Sequence, residues 1–279
     1  MGGGRDFATG KLIYIRRNGI YERRDENPVN HRNKDKDVPA TLKNFDGNVN
    51  TGKDYYDRLL DIEKRTIQEG LDFIQAYIDK SDFRIRVSNR AMTGILNTGE
   101  IQNQMQVGTS NGMYDPDERK EISMRLFDHD GNLEDYEYEK YGYLSDGQAD
   151  VADWYGDFDI VLKKNNVINR TTMTLGDSLD YDIRYPSFVT NPQWVSGGRY
   201  YLEDALDFRN KAERLYQTGR FEDNYDGYAE LQFHGRLTLA DIDHISMPKS
   251  WKYNPPSDQQ DVIAKIKNAG IKITYDAHD

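Results

Sequence analysis

The 279-residue sequence predicts an α+β fold. Two adjoining patterns carry that class. Tyr56, Leu59, Leu60, Ile67, Leu71, Ile74 and Ile78 recur at helical spacing, and Phe83-Arg-Ile-Arg-Val87 directly after them alternates with period two. Further short β-prone runs lie among further helical stretches, and no internal repeat is visible. The length fits one large domain with an extension. The division is drawn at residue 50, with 1–50 as an N-terminal hairpin and linker and 51–279 as the main domain.

Taken in order, Lys11–Arg16 and Ile20–Arg23 flank Asn18-Gly19, the dipeptide of a two-residue hairpin turn. Residues 25–50 are rich in Asn, Asp, Lys and Pro and read as linker. Lys53–Lys80 is an amphipathic helix with Gly70 as the place for a break. Phe83–Val87 follows as a strand, Ala91–Leu96 as a short helix, and Gly99–Val107 as loop and strand. Thr109-Ser-Asn-Gly112 has turn chemistry, Arg119–Phe127 is helical or mixed, and Asp128–Asp135 is an acidic loop. Asp157–Leu162 and Val167–Thr174 are strands, which Asn165-Asn166 would join as a hairpin. A helix over Leu202–Tyr216, a strand over Gly227–Phe233, a helix over Asp261–Asn268 capped at Gly270, and a strand over Ile271–Tyr275 complete the reading.

Composition narrows the function. The net charge of −11 disfavours a duplex nucleic acid as ligand. The basic residues near the start (Arg16, Arg17, Arg23, Arg24, Arg32, Lys34, Lys36) are interleaved with acids and read as solvated surface. With no cysteine, disulfides, thiolate metal sites and cysteine nucleophiles are excluded. Twenty tyrosines and ten phenylalanines supply enough apolar surface for a core. No apolar run has the roughly 20 residues of a membrane helix, so no membrane partner is expected. Asp128-His-Asp-Gly131 places its glycine at the wrong offset for a calcium loop, and the five histidines form no ligand set, so no metal is expected.

Four segments carry a resemblance. They are Arg84-Ile-Arg86-Val-Ser-Asn-Arg90; Gln106-Val-Gly-Thr109-Ser110-Asn-Gly112 with Arg119 and Glu121; Lys140-Tyr141-Gly-Tyr143-Leu144 followed by Tyr155–Leu162, Arg170-Thr-Thr172 and Asp177-Ser178; and Tyr228-Ala-Glu230-Leu-Gln232-Phe-His234-Gly235 leading into Leu239–Asp243. In this order they resemble the ADP-ribosyltransferase superfamily. The resemblance is to bacterial ADP-ribosyltransferase-like proteins and to related domains of phage minor capsid proteins and polymorphic toxins, and it covers roughly residues 80–279. It implies a split mixed β-sheet core with flanking helices, NAD as co-substrate, and a transferase that acts as a toxin or effector on an unknown macromolecular acceptor. Secretion or delivery into a target cell and an immunity or antitoxin protein as partner follow from that role.

The resemblance also implies a site. Arg86 or Arg84, which share one strand face, would grip the pyrophosphate through a permanently charged planar fork. Ser110, with Thr109, would position the ribose or orient the glutamate, and serves equally well as a turn former. Glu230 would stabilise the positive charge that develops on the ribose as nicotinamide leaves, much as in glycoside hydrolysis. Tyr141 and Tyr143 offer aromatic faces to the nicotinamide, with Tyr114 and Phe127 behind them. Tyr228, Gln232 and His234 share the strand face of Glu230 and are substrate-side candidates, His234 fitting a structural role as well. Arginine-modifying members carry an acid two residues before the catalytic glutamate, where this sequence has Tyr228, so the acceptor stays open. Two other readings stand beside the transferase, an NAD glycohydrolase and a non-catalytic binding module of a phage particle or secreted protein.

Overall fold

The computed structural model describes residues 13–17, 20–24, 38–45, 59–108, 115–147, 155–179, 186–192, 204–223 and 227–277. The chain forms two compact units, Met1–Val38 and Pro39–Asp279. In the first, β1 (Ile13–Arg17) pairs antiparallel with β2 (Ile20–Arg24), Arg17 lying opposite Ile20, as the Asn-Gly signal leads one to expect.

The second unit is α+β, with seven α-helices among the described residues. These are α1 (Asp61–Lys80), α2 (Asn89–Thr98), α3 (Gln104–Val107), α4 (Pro116–Phe127), α5 (Lys164–Val167), α6 (Ala205–Thr218) and α7 (Gln260–Asn268). The strands are β3 (Asp82–Val87), β4 (Glu100–Ile101), β5 (Lys140–Ser145), β6 (Phe158–Leu162), β7 (Thr171–Leu175), β8 (Ser187–Phe188), β9 (Ala229–Phe233), β10 (Leu237–Thr238), β11 (Ile242–Pro248) and β12 (Lys272–Ala277). Eight of them form one sheet in the order β12-β11-β6-β3-β5-β9-β7-β8, while β4 and β10 pair separately. Only β11 and β12 run parallel, so the sheet is mixed.

Local chemistry sets the helix ends. Ser88 Oγ accepts from the Ala91 amide to start α2, and Gly99, at φ +76°, ends it in the left-handed conformation. Asp115 caps α4 by accepting from the amides of Asp117 and Glu118, with Pro116 in the first turn. Past α7 the Ile271 amide donates to the Ile266 carbonyl around Gly270, the capping role foreseen for that glycine. Helix α1 passes through Gly70 without a break. A Cβ there would lie 2.6 Å from the Phe208 ring of α6, so this glycine serves close helix packing instead.

The sheet has two chemically distinct faces, because strand side chains alternate. Phe83, Ile85 and Val87 of β3, Phe158, Ile160 and Leu162 of β6, Ala229, Leu231 and Phe233 of β9, and Met173 and Leu175 of β7 join one apolar cluster. Ile74, Tyr77 and Ile78 of α1, Phe208 and Leu215 of α6, and Ile263 and Ile266 of α7 belong to the same core. The intervening positions carry Arg84, Arg86, Asp159, Tyr141, Tyr143, Glu230, Gln232, Thr172 and Thr174, whose mutual registers put them on the opposite face. That face is partly roofed by a second apolar cluster, formed by Leu42 and Phe45 with Ile122, Leu126 and Phe127 of α4 and joined by Phe188 of β8.

Two further expectations change. Asn165 and Asn166 are not a hairpin turn: they form the single turn α5, and β6 and β7 are separated in the sheet by β3, β5 and β9. Val167 is fully buried, and Lys164 donates to the Ile78 carbonyl at the end of α1, where a cation is favoured. These anchors tie the segment to the helical layer. The stretch Gly99–Val107, read as loop and strand, contains the two-residue β4 and the short helix α3, capped by Asn103 accepting from the Gln106 amide.

Candidate active site

Strands β3, β5 and β9 lie side by side, and their polar-face residues converge. Tyr143 is the cross-strand neighbour of both Arg84 and Glu230. The close approach of β3 and β5 depends on Gly142, where a Cβ would sit 2.2 Å from the Arg84 carbonyl oxygen.

Two polar clusters divide the face. In the first, Arg84 donates to Asp82 at 2.9 Å and lies 3.7 Å from Asp159, while Arg86 donates to the Gly156 carbonyl at 2.6 Å and lies 3.9 Å from Asp159. The Tyr143 hydroxyl donates to Asp159 at 2.7 Å. Burial raises the Asp159 carboxyl above its ordinary value against the pull of these partners, and it raises the Tyr143 hydroxyl further. Both candidate arginines are therefore engaged with protein acceptors, and Tyr143 packs against Tyr228.

The second cluster surrounds Glu230, which is 4% exposed. Its Oε1 accepts from Gln232 Nε2 at 2.9 Å and from the Ser178 amide at 3.3 Å, and the Tyr228 hydroxyl stands 3.5 Å from Oε2. Burial, reinforced by the neighbouring Asp177 carboxylate, pushes Glu230 up to about 8, against the opposing hydrogen bonds and the Arg119 guanidinium. Arg119 of α4 stacks on the Tyr141 ring at 4.8 Å. Its Nη1 is buried and has no hydrogen-bond partner among the described residues. The Tyr141 hydroxyl donates to Glu139, which also accepts from Ser123 at 2.7 Å. A shallow pocket opens here, lined by Arg119, Tyr141, Glu139, Asn103 and Met105.

Gln232 and His234 lie in the interior, at 0% exposure. Thr172 donates to Gln232 Oε1 at 2.9 Å and lies 2.9 Å from His234 Nε2, and Thr41 lies 2.7 Å from His234 Nδ1. Burial, with Lys140 and Arg170 nearby, holds His234 well below its ordinary value, so the ring is neutral. Phe127 meets it edge-on at 4.6 Å. His234 thus has protein partners at both ring nitrogens. Thr109, Ser110 and Tyr114 lie outside the described residues.

Three groups take up contacts at this face for which the sequence reading gives them no role, although Arg119 and Asp159 lie in segments that carry the resemblance. Asp159 is the lone charge in Phe158–Leu162, and that isolation in an apolar strand is the signal that could have exposed it. Arg119 and Glu139 meet across Tyr141 from different elements, and no local pattern announces their meeting. Among the described residues no group of His, Cys, Asp and Glu is arranged to hold a metal ion, and no helix is long and apolar enough to cross a membrane.

No protein-family model matches the chain, and no curated protein matches it in sequence.

Proposed function

We propose that the protein cleaves the nicotinamide–ribose bond of NAD and transfers ADP-ribose to a macromolecular acceptor, in keeping with the sequence resemblance to ADP-ribosyltransferases. The observation that carries this reading is the convergence of the arginine, tyrosine and glutamate strands on one polar sheet face, with Glu230 buried at its centre. Breaking the C1′–N bond sends its electron pair to the nicotinamide and leaves positive charge on the ribose. The Glu230 carboxylate stabilises that charge in a site depleted of water. The acceptor then supplies the electron pair of the new bond to C1′ and loses its proton.

A cationic nicotinamide ring entering beside Glu230 favours the ionised carboxylate, so substrate binding itself draws the group toward its working form. Arg119, whose Nη1 meets no acceptor among the described residues and which stacks on Tyr141, is a cation well placed for a polar group of the dinucleotide. Arg84 and Arg86 instead order β3, β5 and β6 through Asp159.

The test is nicotinamide release from NAD by the purified protein, with and without bacterial lysate, beside Glu230→Gln. Release lost in the variant, with label passed to lysate material, supports the transferase. Free ADP-ribose as sole product makes water the acceptor. Neither NAD binding nor release by the wild type would refute the catalytic reading.

A further inference from the structure

The eight-stranded sheet ends in two strands of unequal kind. β8, at one edge, is two residues long, and shortness is a common way of blunting an edge whose backbone groups lack a neighbour. β12, at the other edge, is six residues long and pairs only with β11 among the described residues. Its sequence, Lys272-Ile-Thr-Tyr-Asp-Ala277, contains no proline or glycine. Ile273 and Tyr275 are half-buried and pack against the apolar core. The only charges of the strand, Lys272 and Asp276, are exposed, have opposite signs and stand two residues to either side of Thr274. Ser246 of β11 and Thr274 both donate to Asp276 Oδ1, so Oδ2 has no hydrogen bond among the described residues. Burial raises the Asp276 carboxyl, but these two hydrogen bonds prevail and hold it below its ordinary value, so it is ionised near neutrality.

From this pattern we propose that two copies of the chain join edge to edge through antiparallel β12 strands, with Thr274 on the twofold axis, Lys272 opposite the partner's Asp276, and Ile273 opposite the partner's Tyr275. Residues directly opposite each other in an antiparallel pair point to the same face. A twofold axis perpendicular to the sheet continues polar face with polar face and core side with core side only when it runs through a residue position that lies opposite itself. Centring on Thr274 pairs the strand over its length and forms the Lys272–Asp276 ion pair twice. Centring on Ile273 sets Lys272 opposite Thr274, and centring on Tyr275 sets Asp276 opposite Thr274, so both alternatives forfeit the ion pairs. On the core side the chosen register places an aliphatic side chain beside an aromatic one at two positions, a favourable cross-strand pair. The charge pattern of the edge is thus complementary to itself, and that is what selects a second copy as the occupant. This association involves neither Glu230 nor Arg119 and stands apart from the catalytic reading.

The test is sedimentation equilibrium of the full chain, 32.4 kDa as a monomer, across about 1–100 μM protein. Wild type, Lys272→Glu, Asp276→Lys and a 1:1 mixture of the two variants are compared. Wild type should sediment at twice the monomer mass. Each variant alone opposes like charges at two positions of the pair, and its dimer dissociation constant should rise about 30-fold. In the mixture each introduced charge meets its opposite, so a heterodimer of wild-type strength should form. Mixing does not repair a misfolded chain, so recovery separates a broken interface from a broken fold. A monomeric wild type would overturn the proposal, and slow hydrogen exchange at the β12 amides of that monomer would assign the edge to another part of the same chain. A dimer insensitive to both substitutions, or a mixture that fails to recover, would overturn it equally.

Discussion

Replacing Glu230 with glutamine should trade activity for stability, by an amount that depends on pH. The folded protein holds this carboxyl at about 8, against an ordinary value of 4.5, because ionisation is costly in the buried site beside Asp177. Between those two values the folded state keeps a proton that the unfolded state releases. Stability is therefore full below about 4.5 and falls as pH rises toward 8. The gap corresponds to roughly 5 kcal/mol once both states are ionised, and to about 3 kcal/mol near neutrality. Glutamine has the same shape, still accepts from Gln232 and the Ser178 amide through its oxygen, and never ionises. Urea denaturation of both proteins near pH 4, 7 and 9 should show Glu230→Gln close to wild type in acid and increasingly more stable as pH rises. Nicotinamide release should be lost throughout. A variant no more stable at high pH than at low pH would refute the claim that Glu230 is a strained acid held for its chemistry.

Three other substitutions test neighbouring parts of the site. Nicotinamide release by the wild type should rise with pH through the Glu230 titration, and Arg119→Met, which removes an opposing cation, should move that rise to higher pH. The same variant should lower kcat/KM roughly 10–100-fold, the worth of one charge-assisted hydrogen bond; unaltered kinetics would remove Arg119 from the site. Asp159→Asn leaves two largely buried guanidiniums without their shared carboxylate and should cost about 3 kcal/mol in urea denaturation. Gly142→Ala forces a methyl against the Arg84 carbonyl and should cost about 3 kcal/mol, seen as a lowered Tm, whereas a neutral effect would mean that β3 and β5 can part without penalty.

The elements that periodicity could reveal were the ones with a solvent-facing or single-sided pattern. The stripe of α1 is legible because that helix buries one side, and the alternation of β3 because one of its faces is apolar and the other charged, although Arg84 is buried as well. Strand β5, Lys140–Ser145, is harder to read. Its core side holds Lys140, Gly142 and Leu144, a lysine and a glycine where apolar residues are expected, and Lys140 is tolerated there by donating to the carbonyls of Tyr136, Tyr138 and Gly235. The Asn165-Asn166 pair misled because turn chemistry is local, whereas strand pairing is decided by the whole layer. In the site, Glu230 was legible as an acid within an apolar strand. That Arg84 and Arg86 have Asp159 as a common partner was not, because it depends on which strand lies beside β3.

The alternation of the sheet also bears on how such a protein can change over time. Along β3, β7 and β9 the even-numbered positions belong to the polar face and the odd-numbered ones to the apolar core, while in β5 and β6 the parity is reversed. Each strand therefore carries two interleaved messages. A lineage could exchange letters on the polar side and leave the apolar interior in place, provided that Asp159 and its two arginines change together. Inserting a single residue into a central strand does the opposite: it transposes the two messages, sending Arg84 and Arg86 inward and Phe83 and Ile85 out. Substitutions are thus the gentle path to a new polar face on this scaffold, and insertions within the strands are the harsh one.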